Sequence, residues 1–198
     1  MSKTEEQIKN ISQCLNEPHW LLSWRYASAS RALTLPKELK YGIGILGVLP
    51  EGEMSFNQTV DYHVDATKGL ELYTWKEAVT QEEIAPMLKG LLESDFFPKA
   101  SNYYGGLAQA LFRSGLVVYV QPNIGDDGVP KEEKLTLDTK VPQGSSADII
   151  VVIVKEGARI TLTSTLSGGD DESVFARTFI VLTERDAHVR ITQKQSLA

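Results

Sequence analysis

The feature that most constrains the fold is a run of six short β-type segments that fills the chain after Gly115. Valine, isoleucine, threonine and phenylalanine dominate these segments, and glycine, aspartate or proline lies between them, which is typical of strands joined by turns. The predicted strands are Leu116–Val120, Lys134–Asp138, Ala147–Val154, Arg159–Ser164, Val174–Leu182 and His188–Gln193. The C-terminal half is therefore predicted to be β structure.

A weak internal repeat runs through these segments. The stretch IIVVIVKEGARITLTSTL from Ile149 aligns with FIVLTERDAHVRITQKQ from Phe179, and Ala158 and Ala187 each follow a charged turn. A strand–turn–strand unit at fixed spacing is typical of a β-solenoid, in which each coil buries its apolar face on the next. Two copies also fit two unrelated hairpins of a β-sandwich, so periodicity leaves both folds open.

The N-terminal half has helical spacing instead. Thr4 is a candidate cap for a first helix, and Pro18 suits the first turn of a second helix. Thr80 and Glu83 have the spacing of a capping box before a third helix, and Tyr103–Phe112 is predicted to be a fourth.

Short strand candidates at Ile43–Leu49 and Thr59–Val64 interrupt these helices. The change of character near residues 100–115 predicts two domains: residues 1–105, helical with some β structure, and residues 106–198, β.

Charge and composition exclude several classes of function. The formal net charge is −6, whereas a general nucleic-acid-binding surface needs clustered lysine and arginine. The longest apolar run, Ile149–Val154, is far shorter than the roughly 20 residues of a membrane helix. The polar N-terminus does not resemble a signal peptide, so we expect a cytoplasmic protein without membrane or nucleic-acid partners.

Cys14 is the one cysteine of the chain, which excludes an internal disulfide and any metal site built from several cysteines. Its place in an amphipathic helix predicts a small buried thiol.

Other short motifs are weak. Gly42–Gly47 reads GxGxxG, but no helix is predicted after it to receive a pyrophosphate. His63 and Asp65 share a strand face without an evident third metal ligand. The acidic clusters at Asp126–Gly128 and Gly169–Glu172 lack the ligand spacing of a calcium loop and are predicted to be solvated turns.

The segment NEPHWLLSWR at Asn16–Arg25 resembles the N-terminal signature of the SufB/SufD proteins, scaffolds of the Suf iron–sulfur cluster assembly machinery. Its matching positions are Asn16, Glu17, Pro18, Trp20, Trp24 and Arg25. We interpret them as structural, with Trp20 and Trp24 as a buried aromatic pair and Arg25 bound to carbonyls or an acid.

The resemblance continues in the same order along nearly the whole chain. Thr74–Ala78 and Ile84–Leu92 are similar to two helices of the family. Leu107–Pro122 is similar to a family segment and contains Gly115 and Tyr119. Two family coils are matched by Ile150–Ile160, which contains Gly157 and Ala158, and by Arg185–Val189 with Gln193–Leu197.

This resemblance implies a helical N-terminal domain followed by the first coils of a right-handed parallel β-helix, an α+β, mainly β fold. It implies a non-enzymatic scaffold subunit that pairs with a second SufB/SufD-type subunit and with the SufC ATPase. The family residues implicated in cluster building lie on later coils, so none is carried onto this sequence. The lack of cysteine in the β part favours a SufD-like subunit.

An iron–sulfur cluster is expected only in the assembled complex, because one cysteine cannot hold a cluster by itself. The last predicted strand, His188–Gln193, has only a short segment after it, so a β-helix would be open at that end. We expect self-association through this end.

Two alternative functions stay open. The chain could be a stand-alone protein-interaction module, or a carbohydrate-active β-helix enzyme. The enzyme needs several carboxylates or basic groups along one coil face, whereas these strands present mainly threonine and aliphatic side chains.

Overall fold

The computed structural model describes residues 2–37, 39–41, 44–47, 56–169 and 173–197. In these ranges the chain forms five helices, two mixed four-stranded sheets and a two-stranded pair.

The chain divides into two compact units. The first is Met1–Asn57 with Lys76–Arg113, and the second is Gln58–Trp75 with Ser114–Ala198. The second unit therefore includes a segment from within residues 1–105, which the sequence assigned to the helical domain.

The helices are α1 (Lys3–Cys14), α2 (His19–Ala32), α3 (Trp75–Ala78), α4 (Ile84–Glu93) and α5 (Tyr103–Leu111). The first unit also holds β1 (Leu39–Tyr41) and β2 (Gly44–Gly47), which pair antiparallel. Strand β2 is the described part of the GxGxxG motif; Gly42, Ile43 and residues 48–55 lie outside the described residues.

Helix α1 begins at a capping box. The Ser2 hydroxyl accepts a hydrogen bond from the Glu5 N–H at 3.2 Å, and the Glu5 carboxylate accepts one from the Ser2 N–H at 2.7 Å. The prediction that Thr4 caps this helix is wrong, because the reciprocal bonds join residues three positions apart and Ser2 fills the outer position.

Helix α4 has no such cap. The Thr80 hydroxyl donates to the Glu77 carbonyl at 2.9 Å, at the end of α3, and Glu83 precedes α4 without a capping bond. The predicted Thr80–Glu83 capping box is therefore wrong. The Thr80 hydroxyl therefore bonds to a carbonyl at the C-terminal end of α3 and does not cap the N-terminus of α4.

Helices α2 and α5 pack closely at a glycine. A Cβ atom added at Gly106 would lie 2.6 Å from the Cβ of Ala32 and 3.0 Å from its Cα. Buried aliphatic side chains, among them Ile8, Leu21 and Leu88, complete the core of the first unit. Small residues at the crossing let the two backbones approach.

The described residues of the second unit form eight strands. They are β3 (Asp61–Ala66), β4 (Leu70–Thr74), β5 (Ser114–Val120), β6 (Glu132–Val141), β7 (Ser145–Val154), β8 (Arg159–Gly168), β9 (Val174–Thr183) and β10 (His188–Leu197). The six strands predicted after Gly115 are confirmed, and most are longer than predicted at one or both ends.

These strands form two sheets, with the orders β10-β8-β6-β3 and β4-β5-β7-β9. From β5 to β10, consecutive strands alternate between the two sheets, and strands two apart in the chain pair in parallel. Strands β3 and β4 pair antiparallel with β6 and β5. Consecutive strands here do not form hairpins, which overturns the alternative of two β-sandwich hairpins.

The repeat fixes the register. Asp148 pairs with Arg177 and Ile150 with Phe179 in one sheet, while Arg159 pairs with His188 in the other. The two residues of each pair are 29 positions apart in the chain, both between β7 and β9 and between β8 and β10. The aligned segments of the repeat therefore lie side by side.

Alternate residues of each strand point into the space between the two sheets. The fully buried apolar side chains there include Val118, Val152, Leu137 and Leu162, from four different strands. Branched aliphatic residues at every second position fill such an interior well, which explains the alternating pattern of β6 and β8.

Among the residues whose placement is described, no helix has the length and apolar character needed to cross a membrane.

Candidate functional site

At one end of the interior of the second unit, the aliphatic side chains give way to polar ones. Tyr62 of β3, Thr139 of β6, Asp148 of β7 and Arg177 of β9 meet there, and we call them the Asp148 cluster. The Asp148 residue is 2% exposed, and the Arg177 side chain is 6% exposed. The register explains the meeting, because Asp148 and Arg177 are direct neighbours on β7 and β9.

Arg177 holds Asp148 through two nitrogens. Its Nε donates to Oδ1 at 3.0 Å, and its Nη2 donates to Oδ2 at 2.6 Å. The same Nη2 donates to the Thr139 hydroxyl at 3.0 Å, and the Tyr62 hydroxyl donates to Asp148 Oδ2 at 3.0 Å. The cluster therefore ties four strands from both sheets together.

Burial governs the ionisation of this cluster. Burial raises the pKa of the Asp148 carboxyl, and the hydrogen bonds and charge of Arg177 oppose that effect. Burial also raises the pKa of the Tyr62 hydroxyl, and the neighbouring Asp148 carboxylate raises it further. Tyr62 thus remains a hydrogen-bond donor, and the arrangement acts as a fixed internal ion pair.

Nearby polar atoms add to this character. The Oγ atoms of Ser146 and Ser164 and the Nη1 of Arg177 are buried without a hydrogen-bond partner among the described residues. Buried groups of this kind are normally satisfied by internal water. The polar character of this end of the interior therefore extends beyond the Asp148 cluster.

A second buried carboxylate lies elsewhere in the interior. Glu133 is 3% exposed and accepts hydrogen bonds from the Thr67 hydroxyl and from the Asn123 side-chain amide, the latter at 2.6 Å. It fastens two loops to strand β6.

Side chains 29 residues apart also meet on the turns between strands. Lys155 pairs with Glu184, and Arg185 pairs with Glu156. The hydrogen bond from Lys155 lowers the pKa of the Glu184 carboxyl. Together with Asp148 in the interior, these pairs place complementary groups on successive copies of the repeat.

In the first unit, Arg25 of the signature is fully buried. Its Nε and Nη2 donate to the two oxygens of Glu17 at 2.8 and 2.6 Å. Its Nη1 donates to the carbonyls of Ala110 and Phe112 at 2.8 and 3.0 Å. The prediction that Arg25 binds carbonyls or an acid is confirmed on both counts.

The two signature tryptophans differ in role. The indole N–H of Trp24 donates to the Leu92 carbonyl at 2.9 Å, and its ring contacts Phe97 edge-on at 5.3 Å between centroids. Trp20 and Trp24 are both half-buried, so the expectation of a buried aromatic pair is wrong. At the second position of α2, Trp20 lies on a helix whose buried side is formed by Leu21, Arg25 and their neighbours.

The remaining signature positions shape the turn before α2. Asn16 has φ of 53°, a left-handed conformation that asparagine tolerates better than most residues. Pro18 is the N-cap of α2, one position before the predicted first turn. These residues set the direction from which Glu17 reaches Arg25.

The signature positions of the β part are also structural. A Cβ at Gly115 would lie 2.9 Å from the Ile149 carbonyl oxygen and 3.0 Å from the Trp75 Cβ. Gly157 has φ of 72° in the turn before β8. Tyr119 and Ala158 are buried.

The weak motifs do not gather into a site. No group of three or more histidine, cysteine, aspartate or glutamate side chains within the described ranges could hold a metal. His63 and Asp65 are exposed on β3, Gly128 has φ of 74° in its turn, and residues 170–172 lie outside the described residues. Cys14 is exposed as the last residue of α1, so the predicted buried thiol is wrong.

In comparisons with known proteins, no family model and no curated protein matches this chain.

Sequence reasoning singled out the signature residues but missed the Asp148 cluster. The signal was present, because the 29-residue offset places an acidic residue opposite a basic one. An alignment started at Ile149 and Phe179 is one residue out of the register in which Ile150 pairs with Phe179. That slip hides the pairing of Asp148 with Arg177.

Proposed function

We propose that this chain is a SufD-like, non-enzymatic scaffold subunit of a cytoplasmic iron–sulfur cluster assembly complex, built on a right-handed parallel β-helix. The observation that carries the proposal is the parallel pairing of strands 29 residues apart, alternating between two sheets. Stacked strand–turn–strand units of this kind are the architecture of a β-solenoid. The assignment to the SufB/SufD family within this proposal rests on the co-linear sequence resemblance.

The buried contacts support a structural subunit. The side chains of Arg25, Glu17, Asp148 and Arg177 are enclosed charged groups, and each holds helices or strands together through its ion pair. Their engagement in fixed ion pairs fits a scaffold whose surfaces, rather than an internal catalytic group, meet its partners.

The test is co-expression of the tagged chain with a SufB-type subunit and a SufC-type ATPase. The expected result is recovery of the SufB-type subunit on the tagged chain, with the ATPase recovered when that subunit is present. An unrelated tagged β-helix protein serves as the control. Recovery of neither partner above this control would overturn the proposal.

The fold is tested separately by an experimental structure of the second unit. The proposal requires the connections between the two sheets to turn right-handed along β5 to β10. Left-handed connections would contradict the β-helix of this family.

A further inference from the structure

The two outer strands of the sheet β10-β8-β6-β3 carry opposite charges on the same face. Asp61 and Asp65 of β3 point outward and are exposed, as are Arg190 and Lys194 of β10. In the part of the chain that the structure describes, none of these four takes part in an ion pair, and no strand pairs with the outer edge of β3 or β10. The outer edge of each strand therefore exposes unpaired main-chain N–H and C=O groups, and the strand carries two charges of the same sign.

The charges on the two edges have the same spacing. Asp61 and Asp65 are four residues apart, and so are Arg190 and Lys194. Residues four apart on a strand share a face, about 13 Å from each other. Two edges with equal spacing and opposite sign can therefore match pair for pair.

The apolar interior is incompletely covered at the same two ends. Half-buried hydrophobic side chains of the interior belong to the outermost strands and the last turn, whereas those of the inner strands are fully buried. At one end they are Tyr62, Val64, Ala66, Leu70 and Leu72, and at the other Phe179, Val181, Ala187 and Val189. Ile191 of β10 is 43% exposed. Both ends gain from covering this surface.

We propose that the second unit binds a second copy of this chain head to tail, with β10 of one copy pairing antiparallel with β3 of the next. The direction follows from the topology, because β10 is parallel to β6 and β3 is antiparallel to it. In the matching register Arg190 faces Asp65 and Lys194 faces Asp61. Ile191 then meets Val64 in the interior row.

Pairings between like ends are disfavoured by the same charges. In an antiparallel pair of two β10 strands centred on Thr192, Arg190 of each copy faces Lys194 of the other. In a pair of two β3 strands centred on His63, Asp61 faces Asp65. Like charges directly opposite each other destabilise a strand pair, whereas opposite charges stabilise it.

The head-to-tail contact is heterologous and does not close after two copies, so it predicts chains of variable length. Exposed ion pairs are screened by salt, so association weakens as ionic strength rises. This inference goes beyond the proposed scaffold role and is tested on the chain alone, without any Suf partner.

The experiment is sedimentation velocity on the purified 198-residue chain over a range of concentration and salt. The expected weight-average mass rises with concentration past that of a dimer and falls as salt is added. A monomer at every concentration in low salt would overturn the proposal. A mass that stops at the dimer would also overturn it and would favour pairing between like ends.

Two charge-reversed variants locate the contact. Asp61→Lys with Asp65→Lys makes both edges basic, and Arg190→Glu with Lys194→Glu makes both edges acidic. Each variant alone is expected to stay monomeric, whereas an equal mixture associates because every contact again joins a basic edge to an acidic one. Association of either variant alone at the wild-type level would contradict the proposal.

The matched control is Lys9→Glu with Lys89→Glu, which makes the same change of charge at two exposed helical positions of the first unit. It is expected to associate as the wild type does. Loss of association in this control would show that net charge, not the edges, governs the contact. Circular dichroism checks folding, and Arg190→Gln with Lys194→Gln, expected to weaken association, replaces any reversed variant that does not fold.

Discussion

Two arginines, one in each unit, are buried and held in the same way. Arg25 is bound by Glu17 and by two main-chain carbonyls, and Arg177 is bound by Asp148 and a threonine hydroxyl. A buried ion pair often adds little net stability, but removing one partner leaves an uncompensated charge, which costs about 3–5 kcal/mol. Replacing one of these residues therefore lowers stability mainly because its charged partner stays buried without a counter-ion.

For the first unit this gives a direct test. Arg25→Met is expected to lower the free energy of unfolding by about 3–5 kcal/mol, because Glu17 then stays buried without its partner. The double variant Arg25→Met with Glu17→Gln is expected to recover part of that loss, as measured by urea denaturation. A double variant that loses the sum of both single effects would contradict the coupling.

The Tyr62 hydroxyl predicts a pH dependence. Its pKa is raised in the folded state, so above about pH 10 the unfolded chain releases this proton while the folded chain keeps it. Stability contributed by Tyr62 is present below that pH and declines above it, by up to about 1.4 kcal/mol per pH unit.

The measurement compares Tyr62→Phe with the wild type. At neutral pH the variant is expected to be less stable by about 1 kcal/mol, because Asp148 loses one hydrogen bond. The difference should shrink as the pH rises above about 10, since phenylalanine has no proton to release. Unfolding curves that keep a constant separation at alkaline pH would contradict this.

Two helical glycines have different surroundings, since Gly106 lies at a close helix crossing and Gly90 has open space beside it. Gly106→Ala is expected to destabilise the chain by about 1–3 kcal/mol, because its Cβ would overlap Ala32 between α2 and α5. The control is Gly90→Ala in α4, where no atom lies within 4 Å of the added Cβ. That change should stabilise by about 0.5–1 kcal/mol through helix propensity. Thermal melts that shift in the same direction for both would contradict the close crossing.

The elements differ in how far sequence could predict them. The strands after Gly115 were predictable because branched apolar residues at alternate positions face the interior, and this alternation is visible in the sequence itself. The cap of α1 was not, because Ser2 and Thr4 are both good capping residues and the reciprocal bond to Glu5 decides between them. Predicting which residues pair between strands required the correct offset of the repeat. The alignment was wrong by one residue, so the Asp148 cluster was missed.

At the scale of the whole molecule, cluster chemistry makes a further prediction. Purified chain treated anaerobically with iron and sulfide is expected to hold no stoichiometric iron–sulfur cluster, because it offers one thiolate, on the exposed Cys14 at the end of α1. Visible absorption and iron analysis check this, with Cys14→Ser as the control. A stable cluster that disappears in Cys14→Ser would contradict it.

The 29-residue register also bears on how such a chain can change in length. Inserting one residue within a strand would turn every following side chain to the opposite face and would separate Asp148 from Arg177. Duplicating one repeat alone would place Asp148 beside a second copy of Asp148, because the two partners of each ion pair lie on different repeats. Duplicating both repeats together instead alternates aspartate with arginine from layer to layer. Gene duplication of the two repeats as one unit is therefore the route by which this half of the molecule could lengthen without losing its internal contacts.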